Sequence, residues 1–142
     1  MPDDPLKEWI RKAEGDYRLA VLAMKANNPE LYDGVCYHSQ QCAEKYLKAF
    51  RVYHGKIYKR IHSLIPLLED CLEIDPTFEF IRTPCDDITG IDQFRYPSDF
   101  ANKSDAKLAL TSAKIIRKFI REKLGLAKLT KVHIPARKKK SR

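Results

Sequence analysis

The chain has 142 residues, 44% of them hydrophobic, and these values suit one domain built around a single core. No apolar run approaches the roughly 18 residues that a membrane span requires. The acidic first residues lack the basic and apolar regions of a signal peptide. We therefore expect a cytoplasmic protein with no membrane partner.

The first two predicted helices are long and have clear ends. The first begins at Asp4 and Pro5, an acidic N-cap followed by a proline in the first turn, and Asn27 ends it. The second runs from about residue 31 to residue 53 and stops at Gly55. In both segments apolar residues recur every three or four positions, which is typical of one helix face packed on a core.

The middle of the chain is less regular. A third helix is predicted with Ser63 as its N-cap, and it ends before Asp75. Residues 77–94 keep a helical spacing of apolar side chains, but Pro84 and Gly90 are expected to interrupt it.

The last predicted helix covers residues 104–124, with Ser104 as its N-cap and Gly125 at its end. No segment alternates between apolar and polar residues at period two. The sequence therefore predicts an all-α protein. Its four main helices form an up-down-up-down bundle, because the connections between them are short.

The net charge of +8 belongs to the end of the chain. Residues 1–126, the predicted helical bundle, have a net charge of only +1. Residues 127–142 form a predicted disordered tail that contains no acidic side chain and seven basic ones: Lys128, Lys131, Arg137, Lys138, Lys139, Lys140 and Arg142. Such a tail either solubilises the protein or binds phosphate backbones without sequence preference.

The four cysteines have no Cys-x-x-Cys spacing and suit buried thiols in a reducing compartment. The run Cys36-x-His38-x3-Cys42 contains metal-ligating residue types. On a helix, however, Cys36 and His38 lie about 160° apart and cannot share an ion. We therefore predict no metal site and no cofactor.

The most informative segment is residues 40–49, in the middle of the second helix. At about 100° per residue, one narrow face is formed by Cys36, Ser39, Ala43, Tyr46, Leu47 and Phe50. A polar stripe beside it is formed by Tyr37, Gln41, Glu44 and Lys48. Either this stripe faces a ligand, or Glu44 and Lys48 are an ordinary i,i+4 ion pair.

Further polar residues lie at helix ends. Arg60 and His62 belong to a basic connector before the third helix, and Arg95 and Tyr96 precede the last helix. Arg95 suits either a buried pair with a carboxylate such as Glu44 or a contact to phosphate. His62 suits either capping and packing or proton transfer.

No sequence signature of a standard catalytic site is present. The five glycines are scattered singly, so no phosphate-binding glycine loop occurs, and no serine or cysteine nucleophile lies in a known motif.

Several spaced motifs together resemble the HEPN (higher eukaryote and prokaryote nucleotide-binding) domain family. They are Trp9 with Asp16-Tyr17, Gln40-Gln41-x-x-Glu44-Lys45-x-x-Lys48-Ala49, His62-Ser63-Leu64 and Arg95-Tyr96-Pro97. The resemblance covers residues 5 to about 124. It implies a four-helix up-down bundle with an additional short helix, commonly a homodimer. It also implies a prokaryotic two-gene, toxin–antitoxin-like setting with a minimal nucleotidyltransferase as partner.

Many members of the family are metal-independent ribonucleases with an Arg-x4–6-His motif, and this chain departs from that pattern. None of its four histidines has an arginine five to seven residues before it. The residues that carry over as ligand-site positions are Gln41, Glu44, Lys45, Lys48, His62, Arg95 and Tyr96.

Three functions are compatible with these residues. The first is a non-enzymatic module that binds a nucleotide or a nucleotidyltransferase. The second is a ribonuclease with an atypical site built from Arg60, His62 or Arg95. The third is a nucleic-acid-binding module whose affinity comes from the tail.

Overall fold

The computed structural model describes residues 4–57, 60–92 and 99–126, and the regular structure in this part of the chain is entirely helical. Its α-helices are α1 (Pro5–Ala26), α2 (Tyr32–Tyr53), α3 (Leu64–Ile74), α4 (Arg82–Asp92) and α5 (Lys103–Lys123). Short 3₁₀ segments, Pro29–Leu31 and Pro76–Ile81, precede α2 and α4. The predicted all-α bundle with an additional short helix is confirmed. The predicted domain boundary at residue 126 stays a prediction.

Local chemistry explains where the long helices begin and end. The Asp4 side chain accepts a hydrogen bond from the Leu6 amide at 3.0 Å, as an N-cap does. Gly55 and Gly125 follow α2 and α5 with φ of +75° and +68°, a conformation that disfavours a side chain. After Gly125, the Leu126 amide donates back to the Arg121 carbonyl at 3.0 Å, which closes the last turn of α5.

The predicted interruption of residues 77–94 is wrong, because α4 runs through both Pro84 and Gly90. Pro84 lies in the first turn of α4, where a backbone N–H has no partner within the helix and its loss costs little. Gly90 lies near the other end of the helix, where it lowers helix propensity without breaking the hydrogen-bonded turns.

The predicted N-cap Ser104 is also wrong, since the N-cap of α5 lies two residues earlier. Asn102 is the N-cap, and its side chain accepts from the Asp105 amide at 2.8 Å. The Asp105 carboxylate accepts in turn from the Asn102 amide at 3.0 Å, which completes a reciprocal capping box. Ser63 does occupy the N-cap of α3, but its side chain makes no capping hydrogen bond.

Helix α2 is the centre of the bundle. It packs against α1, α3, α4 and α5, and 14 of its 22 residues are buried. The narrow face predicted from the helical wheel is buried throughout, as expected. The polar residues Gln40, Glu44 and Lys48 are buried as well. A helix surrounded on several sides buries polar side chains, and these must find partners inside the bundle.

An aromatic cluster joins α2 to α5 through the second 3₁₀ segment. The ring centroids of Phe50 and Phe78 lie 4.3 Å apart, and Phe119 meets Phe78 edge-on at 5.0 Å. The ring of Phe80 stacks on that of Phe119 with the centroids 5.6 Å apart, while remaining largely exposed to solvent. These contacts fix the end of α5 against the core.

The four cysteines are buried thiols that form no disulfide. Burial raises the pKa of Cys71 and of Cys85 to about 12, so both thiols are protonated at neutral pH. These cysteines therefore behave as small core residues rather than as nucleophiles. In the described segments, no helix is both long and apolar enough for a membrane crossing.

Candidate functional site

The first candidate site is centred on Glu44. This carboxylate, 4% exposed, accepts hydrogen bonds from the Lys48 ammonium at 2.8 Å and from His62 Nδ1 at 2.9 Å. Gln40 lies one turn before Glu44, and its amide donates to the His62 carbonyl at 3.2 Å. We call Gln40, Glu44, Lys48 and His62 the Glu44 cluster. It attaches the connector before α3 to the side of α2.

The burial of this cluster differs sharply between its members. Lys48 is buried, whereas 69% of the His62 side chain is exposed. The second oxygen of Glu44 and the amide oxygen of Gln40 accept no hydrogen bond from the described residues. The bond to Glu44 makes Nδ1 the protonated nitrogen of neutral His62 and leaves Nε2 with the lone pair. The ring is thus oriented by a buried carboxylate while one edge faces solvent.

The second cluster repeats this chemistry between α1 and α2. Asp16 accepts from His38 Nδ1 at 2.8 Å through one oxygen and from the Lys45 ammonium at 2.5 Å through the other. We call these three residues the Asp16 cluster. The side chains of His38 and Lys45 are 27% and 21% exposed, against 10% for Asp16. Here too a nearly buried carboxylate holds one lysine and one more exposed histidine.

The third cluster, the Glu14 cluster, connects three helices. Arg117 of α5 donates to both oxygens of Glu14 of α1, at 2.7 and 2.8 Å. The Tyr46 hydroxyl of α2 donates to the same carboxylate and accepts from Arg121 at 3.0 Å. The Arg117 guanidinium also lies over the ring of Tyr17 at 4.3 Å. A bidentate pair of this kind fixes orientation as well as distance.

Electrostatics favour the charged forms of this pair. Burial alone would raise the pKa of the Glu14 carboxyl, but the hydrogen bonds from Arg117 and Tyr46 and the nearby guanidinium charges lower it below its usual value. Burial also works against the charge of Arg117, yet its bonds to Glu14 raise its pKa overall. Burial and the bond to Glu14 both raise the pKa of Tyr46, so the phenol stays protonated.

The lowered pKa of Glu14 predicts how stability depends on pH. Its carboxyl titrates near 4.5 in the unfolded chain. The stabilisation from its charge is therefore complete above that pH, and it is lost as the pH falls through the lower pKa of the folded state. We expect the free energy of unfolding of Glu14→Gln to fall less steeply than that of the wild type on acidification from pH 5. Urea unfolding at several pH values measures this slope.

A matched control for this prediction is Glu73→Gln, because Glu73 is an exposed carboxylate on α3. In this variant the free energy of unfolding should fall on acidification as steeply as it does in the wild type. If the two variants show the same slope as the wild type, Glu14 does not carry the acid sensitivity.

The structure places the predicted site residues in two of these clusters. Glu44 and Lys48 form the i,i+4 pair, and His62 joins them. Lys48 is buried on the central helix, and its ammonium donates to Glu44, so its predicted place at a ligand site stays a prediction. Lys45 belongs instead to the Asp16 cluster, and Gln41 is partly buried on α2.

Other predicted residues are less enclosed or lie outside the described residues. Arg60 is exposed. Arg95, Tyr96 and the basic residues of 127–142 lie outside the described part of the chain, so the predicted pairing of Arg95 with Glu44 and the predicted roles of the tail stay predictions.

Sequence reasoning missed two pairings between helices. Asp16 of α1 binds His38 and Lys45 of α2, and Glu14 of α1 binds Arg117 of α5. Asp16 is 22 residues from His38, and Glu14 is 103 residues from Arg117. No local spacing connects them. The only available signal was a charged residue on the apolar side of α1, since a buried charge requires a partner. Cys36 and Cys42 are buried, and no group of histidine, cysteine and carboxylate side chains in the described segments is arranged to hold a metal ion.

The fold and these clusters together define a class: a small all-α bundle whose central helix is fixed to its neighbours by buried ion pairs. The HEPN domain family model matches residues 6–123. The chain belongs to the HEPN domain family.

Two known proteins are similar to it over nearly their whole lengths. A protein of Methanocaldococcus jannaschii named "Putative toxin MJ1304" is 27% identical over an alignment that spans 87% of this chain and 93% of that protein. The crystal structure of ST0689, an archaeal HEPN homologue, matches with a TM-score of 0.67 at 24% identity, over 86% of this chain and 99% of the other. The second likeness supports the fold alone.

Proposed function

We propose that this chain is the HEPN component of a two-gene, toxin–antitoxin-like module, in which it acts as a helical binding module for a nucleotide or a minimal nucleotidyltransferase. Membership of the family and a relative with the word toxin in its name support the setting. The geometry of the Glu44 cluster supports binding at the connector before α3.

The observation that carries the proposal is the exposed ring of His62, oriented by a buried carboxylate. A side chain already held in one orientation loses less conformational entropy when it contacts a ligand. Its open Nε2 can accept a hydrogen bond, or donate one to a phosphate when the ring is protonated. Arg60 lies two residues before His62 in the sequence and is exposed. It adds a permanent positive charge to the same connector.

The two lysines of residues 40–49 contribute differently. Lys45 and Lys48 are each bound to a carboxylate within the bundle. We therefore assign Lys48 to stabilising the cluster that orients His62, and we assign ligand affinity to His62 and Arg60.

Calorimetric titration of the full chain with ATP, GTP, CTP and UTP tests nucleotide binding. Co-purification with a co-expressed minimal nucleotidyltransferase tests partner binding. We expect at least one of these ligands to bind. His62→Gln and Arg60→Met should each weaken binding about tenfold or more, the equivalent of one charge-assisted hydrogen bond.

The matched control is His54→Gln. His54 is a second exposed histidine, but its ring packs on Phe50 at 4.5 Å and belongs to none of the clusters. It should bind as the wild type does. Absence of binding to every nucleotide and to the nucleotidyltransferase contradicts the proposal, as does binding that His62→Gln and Arg60→Met leave unchanged.

The proposal includes a homodimer. Leucine side chains on the outer side of α1 remain exposed, with Leu19 at 49% and Leu22 at 44%, and such apolar surface suits an interface between identical copies. Light scattering after size-exclusion chromatography gives the mass in solution. A monomer at micromolar concentration would contradict this part of the proposal.

A second candidate function is metal-independent RNA cleavage with an atypical site, and the bond between Glu44 and His62 favours it. A histidine oriented by a carboxylate is the usual arrangement of a general base. His62 Nε2 would take the proton of a ribose 2′-hydroxyl, and the 2′-oxygen would attack the adjacent phosphorus. The P–O5′ bond would break, and water would protonate the leaving oxygen. Arg60 or Arg95 would stabilise the charge on the phosphoryl oxygens.

Incubation of RNA with the wild type, His62→Gln and Arg95→Ala separates this function from binding. Loss of cleavage in His62→Gln, with retention in His54→Gln, would establish it. Cleavage that neither change reduces would remove both residues from the mechanism.

A further inference from the structure

The middle of the chain forms an acidic surface. Residues 64–91 contain seven acidic side chains and one basic one, although the predicted helical bundle as a whole has a net charge of only +1. Glu69 and Glu73 are exposed on successive turns of α3, and Glu79 is exposed on the second 3₁₀ segment. Arg82 binds Glu69 at 2.8 Å and Glu79 at 2.7 Å, so these two carboxylates lie close together. We call Glu69, Glu73 and Glu79 the acidic surface.

This surface keeps a net negative charge and suits a partner with several positive charges. The guanidinium of Arg82 supplies one positive charge against the three carboxylates. Asp86, also exposed, lies one turn after Arg82 on α4 and adds a further negative charge. Solvent screens each of these groups, so a single contact would contribute little. Binding here depends on the sum of several contacts.

An exposed aromatic ring lies beside the acidic surface. Phe80 follows Glu79 directly, and 71% of it is exposed although its ring stacks on Phe119. Phe119 in turn packs edge-on against the buried ring of Phe78, so the exposed ring rests on a fixed support. A ring held in this way offers apolar contact area at little cost in conformational entropy. The region therefore suits a segment that contains both apolar and basic residues.

The end of α5 lies against the edge of this region. The Lys123 ammonium binds Asp75, which follows α3, at 3.0 Å, and it lies 5.3 Å from the centre of the Phe119 ring. Leu126, the last described residue, is partly buried against the core. It follows Lys123 by three residues, so their Cα atoms are no more than about 11 Å apart. The chain therefore leaves the bundle close to the acidic surface.

The segment that follows Leu126 has the matching composition and sufficient length. Residues 127–142 contain seven basic side chains and no acidic one, and their apolar residues Leu129, Val132 and Ile134 precede the basic run 137–140. These 16 residues can extend over about 50 Å. The 11 residues of α3 cover only about 16 Å. The tail can therefore span the whole acidic surface from its point of exit.

Covalent attachment favours the chain's own tail over other partners. A segment joined to its binding surface by a short linker has an effective concentration of about millimolar. A second copy of the chain at micromolar concentration competes poorly with it. Weak, exposed contacts of the kind that the acidic surface offers are therefore sufficient for docking within one chain.

We propose that residues 127–142 dock on the acidic surface of their own chain. The apolar residues of 129–134 contact the ring of Phe80, and the basic run 137–142 binds the carboxylates of the acidic surface. A docked tail has fewer free cations, so its affinity for other polyanions is reduced until salt or a competitor displaces it. This docking is separate from the Glu44 cluster and does not depend on the proposed function.

A spin label at the end of the tail tests this docking in the full chain. Ser141→Cys adds a reactive thiol, and a nitroxide reagent attaches at position 141 because the four native cysteines are buried. The nitroxide broadens the amide resonances of nearby residues. We expect it to at least halve the amide signals of Glu73 and Glu79 at low ionic strength, compared with the same sample after chemical reduction of the nitroxide.

Glu30 supplies the reference signal for this measurement. It lies in the 3₁₀ segment before α2, whereas Phe78, beside the acidic surface, packs on Phe50 near the other end of α2. The 22 residues of α2 are about 33 Å long, so the two regions are well separated. The amide signal of Glu30 should keep its intensity when the nitroxide is active.

Charge reversal on the surface should release the tail. Combining Glu69→Lys with Glu73→Lys should restore at least half of the lost Glu79 amide signal, because the reversed charges repel the basic tail. Glu73→Lys alone should restore less, and the matched control Glu30→Lys should restore none. Phe80→Ser should restore part of the signal while leaving every charge in place. Helical circular dichroism confirms that each variant is folded.

Two further samples separate electrostatic docking within one chain from other contacts. At an ionic strength of about 1 M, where the Debye length is about 3 Å, most of the lost signal should return. The other sample mixes spin-labelled chains without isotope enrichment and isotope-enriched chains without a spin label. It should show no broadening, because the tail of one copy does not occupy the surface of another.

Three outcomes would overturn the proposal. The first is an active nitroxide that leaves the Glu73 and Glu79 signals intact or reduces them no more than that of Glu30. The second is full broadening in the folded double charge-reversal variant. The third is equal broadening in the mixed sample, which would assign the surface to the tail of a second copy.

Discussion

Glu14→Leu should lower the free energy of unfolding by about 3 kcal/mol, a value typical of removing one partner from a buried ion pair. Arg117, with 7% of its side chain exposed, would lose both oxygens of its carboxylate partner while remaining in the bundle. The Tyr46 hydroxyl would lose its acceptor at the same time. For a chain of this length the loss corresponds to a melting temperature lowered by about 10 °C.

A double-mutant cycle assigns this loss to the pair. Arg117→Met should cost less than Glu14→Leu, because Glu14 is 26% exposed and keeps its contacts with Tyr46 and Arg121. The double variant should be more stable than the sum of the single losses predicts, by about 1 kcal/mol or more. Urea unfolding at pH 7, followed by helical circular dichroism, supplies the four values.

The chain offers a surface pair as a control. Glu79 and Arg82 lie 2.7 Å apart, but the Glu79 side chain is 60% exposed. Glu79→Leu should change stability little, since solvent screens exposed ion pairs. If Glu14→Leu costs no more than Glu79→Leu, the Glu14 cluster does not hold the three helices together.

The local features of this fold could be predicted because they depend on neighbouring residues. The ends of α1 and α2 follow from Asp4, Asn27 and Gly55, each of which satisfies or permits a particular backbone geometry. The N-cap of α5 was missed by two residues because Ser104 and Asn102 are both good caps. Only Asn102 has an acidic residue three positions later to complete the box.

Residues 40–49 show that helical spacing predicts side-chain pairing better than it predicts burial. The ion pair of Glu44 with Lys48 follows from their spacing, but the burial of Lys48 does not. A helical wheel divides a helix into a buried side and an exposed side. Helix α2 instead packs against four other helices, so Glu44 and Lys48 of the stripe beside its apolar face are also covered, while Tyr37 of the same stripe stays half exposed. The degree of burial of Lys48 is therefore a property of the whole bundle.

Only some residues of each candidate site could be predicted, because contacts between elements depend on the packing of the whole bundle. Each joins a residue of α2 to one from another element: Lys45 to Asp16 of α1, and Glu44 to His62 before α3. The sequence shows that Glu44 and His62 are present, but only the packing of the helices brings the carboxylate to the ring. The sequence marks Asp16 as part of a family motif and His38 as a metal-ligating residue type, but no local spacing connects either of them to Lys45.

Glu44→Leu is expected to have an effect of similar size, a loss of about 3–5 kcal/mol in the free energy of unfolding. Its partner Lys48 is 2% exposed, so removal of the carboxylate takes a charge-assisted hydrogen bond from an ammonium that is enclosed in the bundle. Exposed His62 would lose its Nδ1 partner too, but water can replace that bond at little cost. Urea unfolding measures the loss, and the exposed Glu73→Leu variant is the control.

The double variant Glu44→Leu with Lys48→Met separates stability from function. It removes both buried charges, and the new methionine would lie beside Trp9, whose ring is 5.5 Å from the Lys48 nitrogen. Replacing a buried ion pair by apolar side chains is often neutral or stabilising, so we expect most of the lost stability to return. The orientation of His62 by a carboxylate would not return. If ligand binding or RNA cleavage stays impaired in this stable variant, Glu44 acts by positioning His62. If it recovers with stability, Glu44 serves the fold alone.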